Sequence, residues 1–510
     1  MYRSKEQHQF ANSVTRGTAP GPALLLAGEP GLGKTRAYLI PLLTSGKRVA
    51  IALNTRQQID QLISSSDLAA AIALAPGATV AVLKPRSEFS TKADYVEHRR
   101  QAIAAQVLVI THAAAVIDSL MPAYAELRDR DVVLFDEADQ LPDAAALRAD
   151  TTIPADSVTS RDAKTCAQAV LNDKEAEPEL KAAARAIVYA IDHPAWYRVV
   201  GFDEAGDLVL RHRLPGRMLG PLLRDAKRTI FVSGTLQVDG RFDHFVRVMG
   251  LKSIDPASRP FAPTQHGTLN VMMVDHPMSI EQQAVVIANA KRPTLVVTTR
   301  HTLAAEIGAL IPGAVIRADS ESLNDAVART ADDGILIAAG AWAGLDVPRL
   351  RWKSVVLPAV PYGVPIEVEG EMLTHYLDSR VAAVRRTYQA AHRGLRSADA
   401  VCDLLLLDHR YRRQDLAAAV PARFQVTGID EGGRKIVIRN EEVRALLRVQ
   451  ALELHGARCK VCGDDALHRL EVHHLYPVNL GQRRTNVATD LVVLCRNHHA
   501  DAHETMDRSG

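Results

Sequence analysis

The chain has 510 residues, enough for roughly three or four domains of ordinary size. Its 47% hydrophobic and 24% charged residues are ordinary for a soluble globular protein, and a net charge of +2 carries no global nucleic-acid signature. No apolar run approaches membrane-spanning length, and residues 1–7 lack a signal-peptide core, so a cytoplasmic protein with no membrane partner is expected.

Near the start, Arg3 and Gln7 precede an apolar stripe of Phe10, Ala11 and Val14 at helical spacing. The apolar run of residues 23–27 then predicts a buried strand. It leads into Gly28-Glu29-Pro30-Gly31-Leu32-Gly33-Lys34-Thr35 and a helix start over 36–40. Strand, glycine-rich turn and helix together read as a P-loop. Gly28, Gly31 and Gly33 would let backbone N–H groups close around phosphate oxygens, where side chains would block the approach. Lys34 would reach the β- and γ-phosphates of ATP, and the Thr35 hydroxyl would hold Mg²⁺.

Residues 47–55 predict a second buried strand ending in the polar pair Asn54-Thr55, and residues 107–112 repeat that design. In a parallel α/β sheet, ligands bind at such carboxyl ends. The segment Val132-Val133-Leu134-Phe135-Asp136-Glu137-Ala138-Asp139 is an apolar strand delivering adjacent carboxylates, as a Walker B element does. Asp136 would bind Mg²⁺ through water, and Glu137 would polarise the attacking water. Residues from about 140 to 225 alternate Ala-rich helical patterns with Pro and Asp breaks and carry no chemistry of their own. Residues 228–236 form a further strand ending in small hydroxyl residues. A second α/β unit follows, with strands expected at 294–299, 334–339, 354–358 and 404–407. Ahead of the last strand, Arg393 and Arg396 lie three apart on a helical pattern and share one face.

Taken in order, these segments resemble the helicases of superfamily two, specifically the DinG/XPD branch. Asp136-Glu137-Ala138-Asp139 stands where that branch has DEAH, and Ser233-Gly234-Thr235-Leu236 matches its SATL motif with glycine for alanine. Residues 342–348, Trp-Ala-Gly-Leu-Asp-Val-Pro, look like its WEGVDVP, and residues 389–396 like its QxxGRxxR with His392 for glycine. The resemblance covers roughly residues 1–412. It implies two RecA-like domains with ATP in the cleft between them and movement on DNA in the 5′→3′ sense. Gln7 would contact adenine, Gln389 would contribute to the nucleotide site, and Arg393 and Arg396 would be arginine fingers. Gly344 and Asp346 would couple the nucleotide state to DNA grip, and Asn54-Thr55 and Thr111-His112 would lie along the single strand. Most members carry a four-cysteine iron–sulfur domain before the DEAH box. Here no cysteine occurs between Thr35 and Asp136, so no Fe–S cluster is expected, and residues of about 84–105 would be a vestige of that insertion.

At the C-terminus, Cys459-Lys460-Val461-Cys462 and Cys495-Arg496-Asn497-His498 form a C-x₂-C … C-x₂-H pair, suited to tetrahedral Zn²⁺ in a reducing compartment. Between the pairs lies Leu470-Glu471-Val472-His473-His474-Leu475-Tyr476-Pro477, on a hairpin-like strand, and His499 follows the last ligand. This resembles the HNH nucleases and their ββα-metal core. By that resemblance His474 is the general base, while His473 and His499 hold one Mg²⁺ or Mn²⁺ against the scissile phosphate. His498 and His499 could exchange roles, and either Asp490 or Asn486 would position the base. Arg483 and Arg484 are candidate phosphate contacts.

The expected fold class is therefore α/β. RecA-like domain 1 would span 1–245 with an Arch-like helical insertion at about 140–225, and RecA-like domain 2 would span 246–412. A linker at 413–433 would precede an HNH domain at 434–510. A motor of this branch with an HNH appendage resembles the DinG helicases of type IV CRISPR systems, which implies single- and double-stranded DNA and an RNA-guided effector complex as partners. The alternatives are a guide-independent restriction or repair helicase–nuclease, and a translocase whose zinc module only binds DNA.

Overall fold

The computed structural model describes the chain except for residues 1, 122–126, 196, 204, 265–266, 275, 343–350, 364–366, 370, 373–375, 396–398, 421–451, 453–454, 467–469, 475–490 and 499–510. The chain divides into two compact units, residues 1–265 with 362–385, and residues 266–361 with 386–510. The strands in chain order are β1 (Leu24–Gly28), β2 (Val49–Leu53), β3 (Val80–Val82), β4 (Val107–Thr111), β5 (Val132–Asp136), β6 (Thr151–Ile153), β7 (Arg198–Phe202), β8 (Leu208–His212), β9 (Thr229–Ser233) and β10 (Arg259–Phe261). They continue with β11 (Thr268–Met273), β12 (Thr294–Thr298), β13 (Val315–Ile316), β14 (Ile335–Ala339), β15 (Ser354–Leu357), β16 (Glu367–Val368), β17 (Glu371–Met372), β18 (Val401–Leu406), β19 (Leu470–His474) and β20 (Leu491–Cys495).

The first unit is built on a parallel sheet of order β10-β1-β9-β5-β2-β4-β3. Its central strands are apolar at every position because both faces are covered. Leu24 and Leu26 pack with Phe10, Tyr38, Leu42, Leu134 and Val232 on one side. Leu25 and Ala27 pack with Phe135, Leu141, Phe231 and Phe245 on the other. The expected strands at 23–27, 47–55, 107–112, 132–136 and 228–236 all lie in this sheet. β9 stands between β1 and β5, so three strands from distant parts of the chain end side by side.

Two features differ from the sequence-based expectation. The stretch expected to be helical from about 140 to 225 contains an antiparallel sheet, β6-β8-β7, beside the helices Ala163–Asn172 and Pro178–Asp192. It has its own core of Ile153, Cys166, Ala184, Ile187, Leu208 and Leu210. These strands are short, and their pairing partners lie up to about 60 residues away, beyond the reach of local periodicity. The first unit also extends past the expected boundary at 245/246. Phe245 and Met249 of the helix Asp243–Met249 are buried in its core, and β10 pairs with β1. Residues 362–385 return to this unit. Asp378 accepts from His244 Nε2 at 3.0 Å and also pairs with Arg247, and Arg380 pairs with Asp239 at 2.9 Å.

The second unit holds a parallel sheet of order β11-β18-β15-β12-β14-β13, with Val296, Ile337, Val356 and Leu405 in its core. The expected strands at 294–299, 334–339, 354–358 and 404–407 fall within it. β19 and β20 form a separate antiparallel hairpin. Among the described residues, no helix is long and apolar enough to cross a membrane.

Arg228 joins three parts of the first unit. Its side chain is 4% exposed, donates from Nε to Gly17 O at 2.9 Å and from Nη1 to Pro22 O at 2.5 Å, and pairs through Nη2 with Asp255 at 2.5 Å. Arg228→Ala leaves Asp255 and two carbonyls without their donor and is expected to cost about 3 kcal/mol. Arg241→Ala removes an exposed pair with Asp243 and should cost under about 0.5 kcal/mol. Urea unfolding of the two variants checks the contrast.

Candidate nucleotide and metal sites

The first candidate site lies at the carboxyl ends of β1, β9 and β5. After β1 the chain passes through Gly31 (φ 85°) and Gly33 (φ 75°), in the left-handed region open to glycine, and enters the helix Lys34–Thr44. A Cβ on Gly28 would stand 2.8 Å from Lys34 Cδ and 2.9 Å from the Phe10 ring. The first turn of the helix carries no acidic residue of its own, and its positive end opens on the glycine turn. Gln7 is buried on the helix Lys5–Arg16. Its Nε2 donates to Gly33 O at 2.9 Å, and its Oε1 accepts from Arg3 N at 2.6 Å. Where the resemblance assigns an adenine contact, the described bonds of Gln7 brace the glycine turn.

Asp136 ends β5 and is buried. Its Oδ2 accepts from the Tyr38 hydroxyl at 2.9 Å and its Oδ1 from Glu137 N at 2.9 Å. Burial pushes the Asp136 carboxyl up, against the pull of the Lys34 charge and the Tyr38 hydroxyl. Tyr38 is driven well above the usual phenol range by burial and by the Asp136 charge, so it keeps its proton and donates. Glu137 sits in the left-handed region (φ 48°, ψ 43°), a conformation costing about 1–3 kcal/mol in a residue with a side chain. Ser233, at the end of β9, hydrogen-bonds Asp139 and lies 3.4 Å from Glu137 Oε2. The structure thus brings together Gln7, the glycines, Lys34, Thr35, Asp136 and Glu137.

His112 is a correction. It was expected along a DNA strand, yet it is fully buried, with Nε2 at 2.9 Å from Asp136 O. Burial pushes its pKa down to about 4, so it is neutral and supports the turn after β5. Thr111 and Thr55 cap helices, accepting from Ala114 N and Gln58 N, and Asn54 is paired with Gln140. Tyr38 escaped the sequence reading. The available signal was its place one helical turn after Thr35, which puts both on one face.

In the second unit, Gln389 is half-buried on the helix Tyr376–Ala391. Arg393 donates from Nε and Nη2 to Trp342 O at 3.1 and 2.7 Å, and Arg386 lies over the Trp342 ring at 4.9 Å. Gly344, Asp346 and Arg396 lie outside the described residues.

The second candidate site is C-terminal. The ligand atoms of Cys459, Cys462, Cys495 and His498 all lie within 4.8 Å of one another. Cys462 Sγ is 3.8 Å from Cys495 Sγ, and Cys459 Sγ is 3.6 Å from His498 Nδ1. Tetrahedral zinc with ordinary Zn–S and Zn–N bonds separates such atoms by about 3.8 and about 3.5 Å, so the donor set fits that ion. Burial acts to raise the Cys459 thiol, but backbone donors from Cys462, Cys495 and Val461 outweigh it and bring the pKa to about 6. The knuckle is held to the hairpin by Lys460 N donating to Val493 O at 2.9 Å. His473 and His474 pair in register with Val492 and Leu491. His499, Asn486, Asp490, Arg483 and Arg484 lie outside the described residues.

No family model matches the chain. Over 83 residues the sequence is 37% identical to the ATP-dependent DNA helicase YoaA of Escherichia coli (strain K12), a match covering 16% of this chain and 13% of that protein. The aligned stretch is thus well under two thirds of the relative's length. Among solved structures, an XPD helicase is similar with a TM-score of 0.58 at 14% identity, over 82% of this chain and 97% of that one. An apo XPD structure (TM-score 0.57, 14% identity) is covered over 99% of its length by 83% of this chain. S. tokodaii Xpd4 (TM-score 0.51, 14% identity) is covered over 98% of its length, again by 83% of this chain. The chain has the fold of the XPD helicases.

Purified protein is expected to release about one zinc per chain when its thiols are blocked by a mercurial, read with a colorimetric metal indicator. Cys495→Ala should arrive with less than about a fifth of that content.

Proposed function

We propose that the chain is an ATP-dependent DNA helicase or translocase of the DinG/XPD branch of superfamily two, moving 5′→3′, with a metal-dependent HNH endonuclease at its C-terminus. The observation that carries the motor is the meeting of the P-loop, Asp136 and Ser233 at three adjacent strand ends in a chain with the XPD helicase fold. The 37% identity to a protein named an ATP-dependent DNA helicase supports the same reading.

Bound MgATP would supply the phosphoryl transfer that drives movement. Backbone N–H groups of residues 31–35 bind phosphate, Lys34 neutralises it, and Thr35 and Asp136 hold the cation. Glu137 orients the attacking water and accepts its proton. Arg393 and Arg396 would stabilise the charge that develops on phosphate, Gln389 would contribute to the nucleotide site, and Gly344 and Asp346 would link nucleotide state to DNA.

The nuclease reading rests on the hairpin, the fitted zinc donor set and the His473-His474 pair on β19. Zinc would hold the hairpin against the helix that begins at Arg496. His474 would take the proton from water, and His473 and His499 would hold Mg²⁺ or Mn²⁺. The motor joined to this module supports recruitment by an RNA-guided type IV CRISPR complex to unwind and cut invading DNA.

The test is plasmid cleavage with Mg²⁺ or Mn²⁺ by wild type, Lys34→Ala and His474→Ala, with and without ATP and the guide complex, alongside ATPase assays. Lys34→Ala should lose about 100-fold or more in ATP turnover. His474→Ala should abolish cutting while keeping ATPase and unwinding. Cutting without ATP or guide would point to an autonomous nuclease. Failure of the wild type to cut in every arm would leave a zinc-stabilised DNA grip.

A further inference from the structure

We propose that Tyr38 is the positioning residue for the divalent cation of the nucleotide site, holding the Asp136 carboxylate in the orientation that leaves a lone pair on each oxygen to the metal. The inference rests on the reading of this site as one for ATP and Mg²⁺.

Tyr38 has no exposed surface and packs in the core beside Phe10 and Leu42. A phenylalanine would fill the same volume, so the hydroxyl is there for its hydrogen bonds. It donates to Asp136 Oδ2 at 2.9 Å, while Glu137 N donates to Oδ1 at 2.9 Å. With a donor on each oxygen the carboxylate cannot rotate about its Cβ–Cγ bond without losing one of them. Each oxygen still has a second lone pair free.

The bond ties the helix that follows the glycine turn to the carboxylate at the end of β5, 98 residues away in sequence. Tyr38 touches neither phosphate-binding N–H groups nor Lys34 in any described bond, so its oxygen is separable from phosphate binding. Orienting partners of metal ligands typically govern affinity for the metal by about 10–100-fold.

The experiment uses the full chain and its Tyr38→Phe variant. ADP affinity is measured in EDTA, Mn²⁺ affinity of the ADP complex by electron paramagnetic resonance, and ATP turnover against Mg²⁺ concentration. Tyr38→Phe should bind ADP in EDTA within about twofold of wild type, because the phosphate turn is untouched. Its Mn²⁺ affinity should fall about 10-fold, equivalent to about 1.4 kcal/mol. The Mg²⁺ concentration for half-maximal turnover should rise in step, with turnover at saturating Mg²⁺ within about threefold of wild type.

Unchanged Mn²⁺ affinity overturns the proposal. So does a variant that loses ADP in EDTA as much as it loses Mn²⁺, since the hydroxyl would then support the turn or the core. If the wild type itself binds no ADP, the nucleotide reading fails first, and this inference goes with it.

Discussion

Parallel pairing of β9 between β1 and β5 is the constraint on which the rest of the first unit depends. These strands are buried on both faces, so their backbone N–H and C=O groups are met chiefly by neighbouring strands rather than by water. The register aligns Ala27 with Ser233 and Asp136 with Val232. Each strand therefore ends within one residue of its neighbour's level, and glycine turn, hydroxyl and carboxylate emerge together. A slip of one residue would turn Asp136 to the opposite face, away from Tyr38.

The polar groups brought to that edge are costly to bury, and the structure meets the cost by pairing them. Asp136 takes bonds from Tyr38 and Glu137, and Ser233 bonds Asp139. His112 stays neutral and supports the Asp136 carbonyl. The left-handed backbone of Glu137 is strain that these bonds hold in place. Such a network is held rigid by its mutual hydrogen bonds, and it suits the proposed nucleotide and cation site.

The C-terminal hairpin follows a different logic. Its described core is small, with Leu470, Val493 and Leu494 the buried aliphatic side chains. On the proposed reading, Cys459, Cys462, Cys495 and His498 would add a zinc cross-link to it, the free energy of binding zinc becoming free energy of folding.

Much of the molecule was legible in the chain itself. The glycine pattern before Lys34-Thr35, the apolar strand ending in Asp136-Glu137, the inner strands of both sheets and the C-x₂-C … C-x₂-H spacing are contiguous signals, written in neighbouring residues whose chemistry is local; the edge strands β3, β10, β11 and β13 were not among them. What only the tertiary structure decided lies in contacts between distant segments. Tyr38 reads as one more apolar helix position until β5 is placed beneath it, and His112 reads as a polar strand end until its ring is found against Asp136 O. The sheet within 151–212, and the return of residues 362–385 to the first unit, depend likewise on pairings and ion pairs far apart in sequence. Local propensity specifies which segments become strands. The order in which they pair is set by burial of both sheet faces at once, a property that no single stretch of the sequence carries.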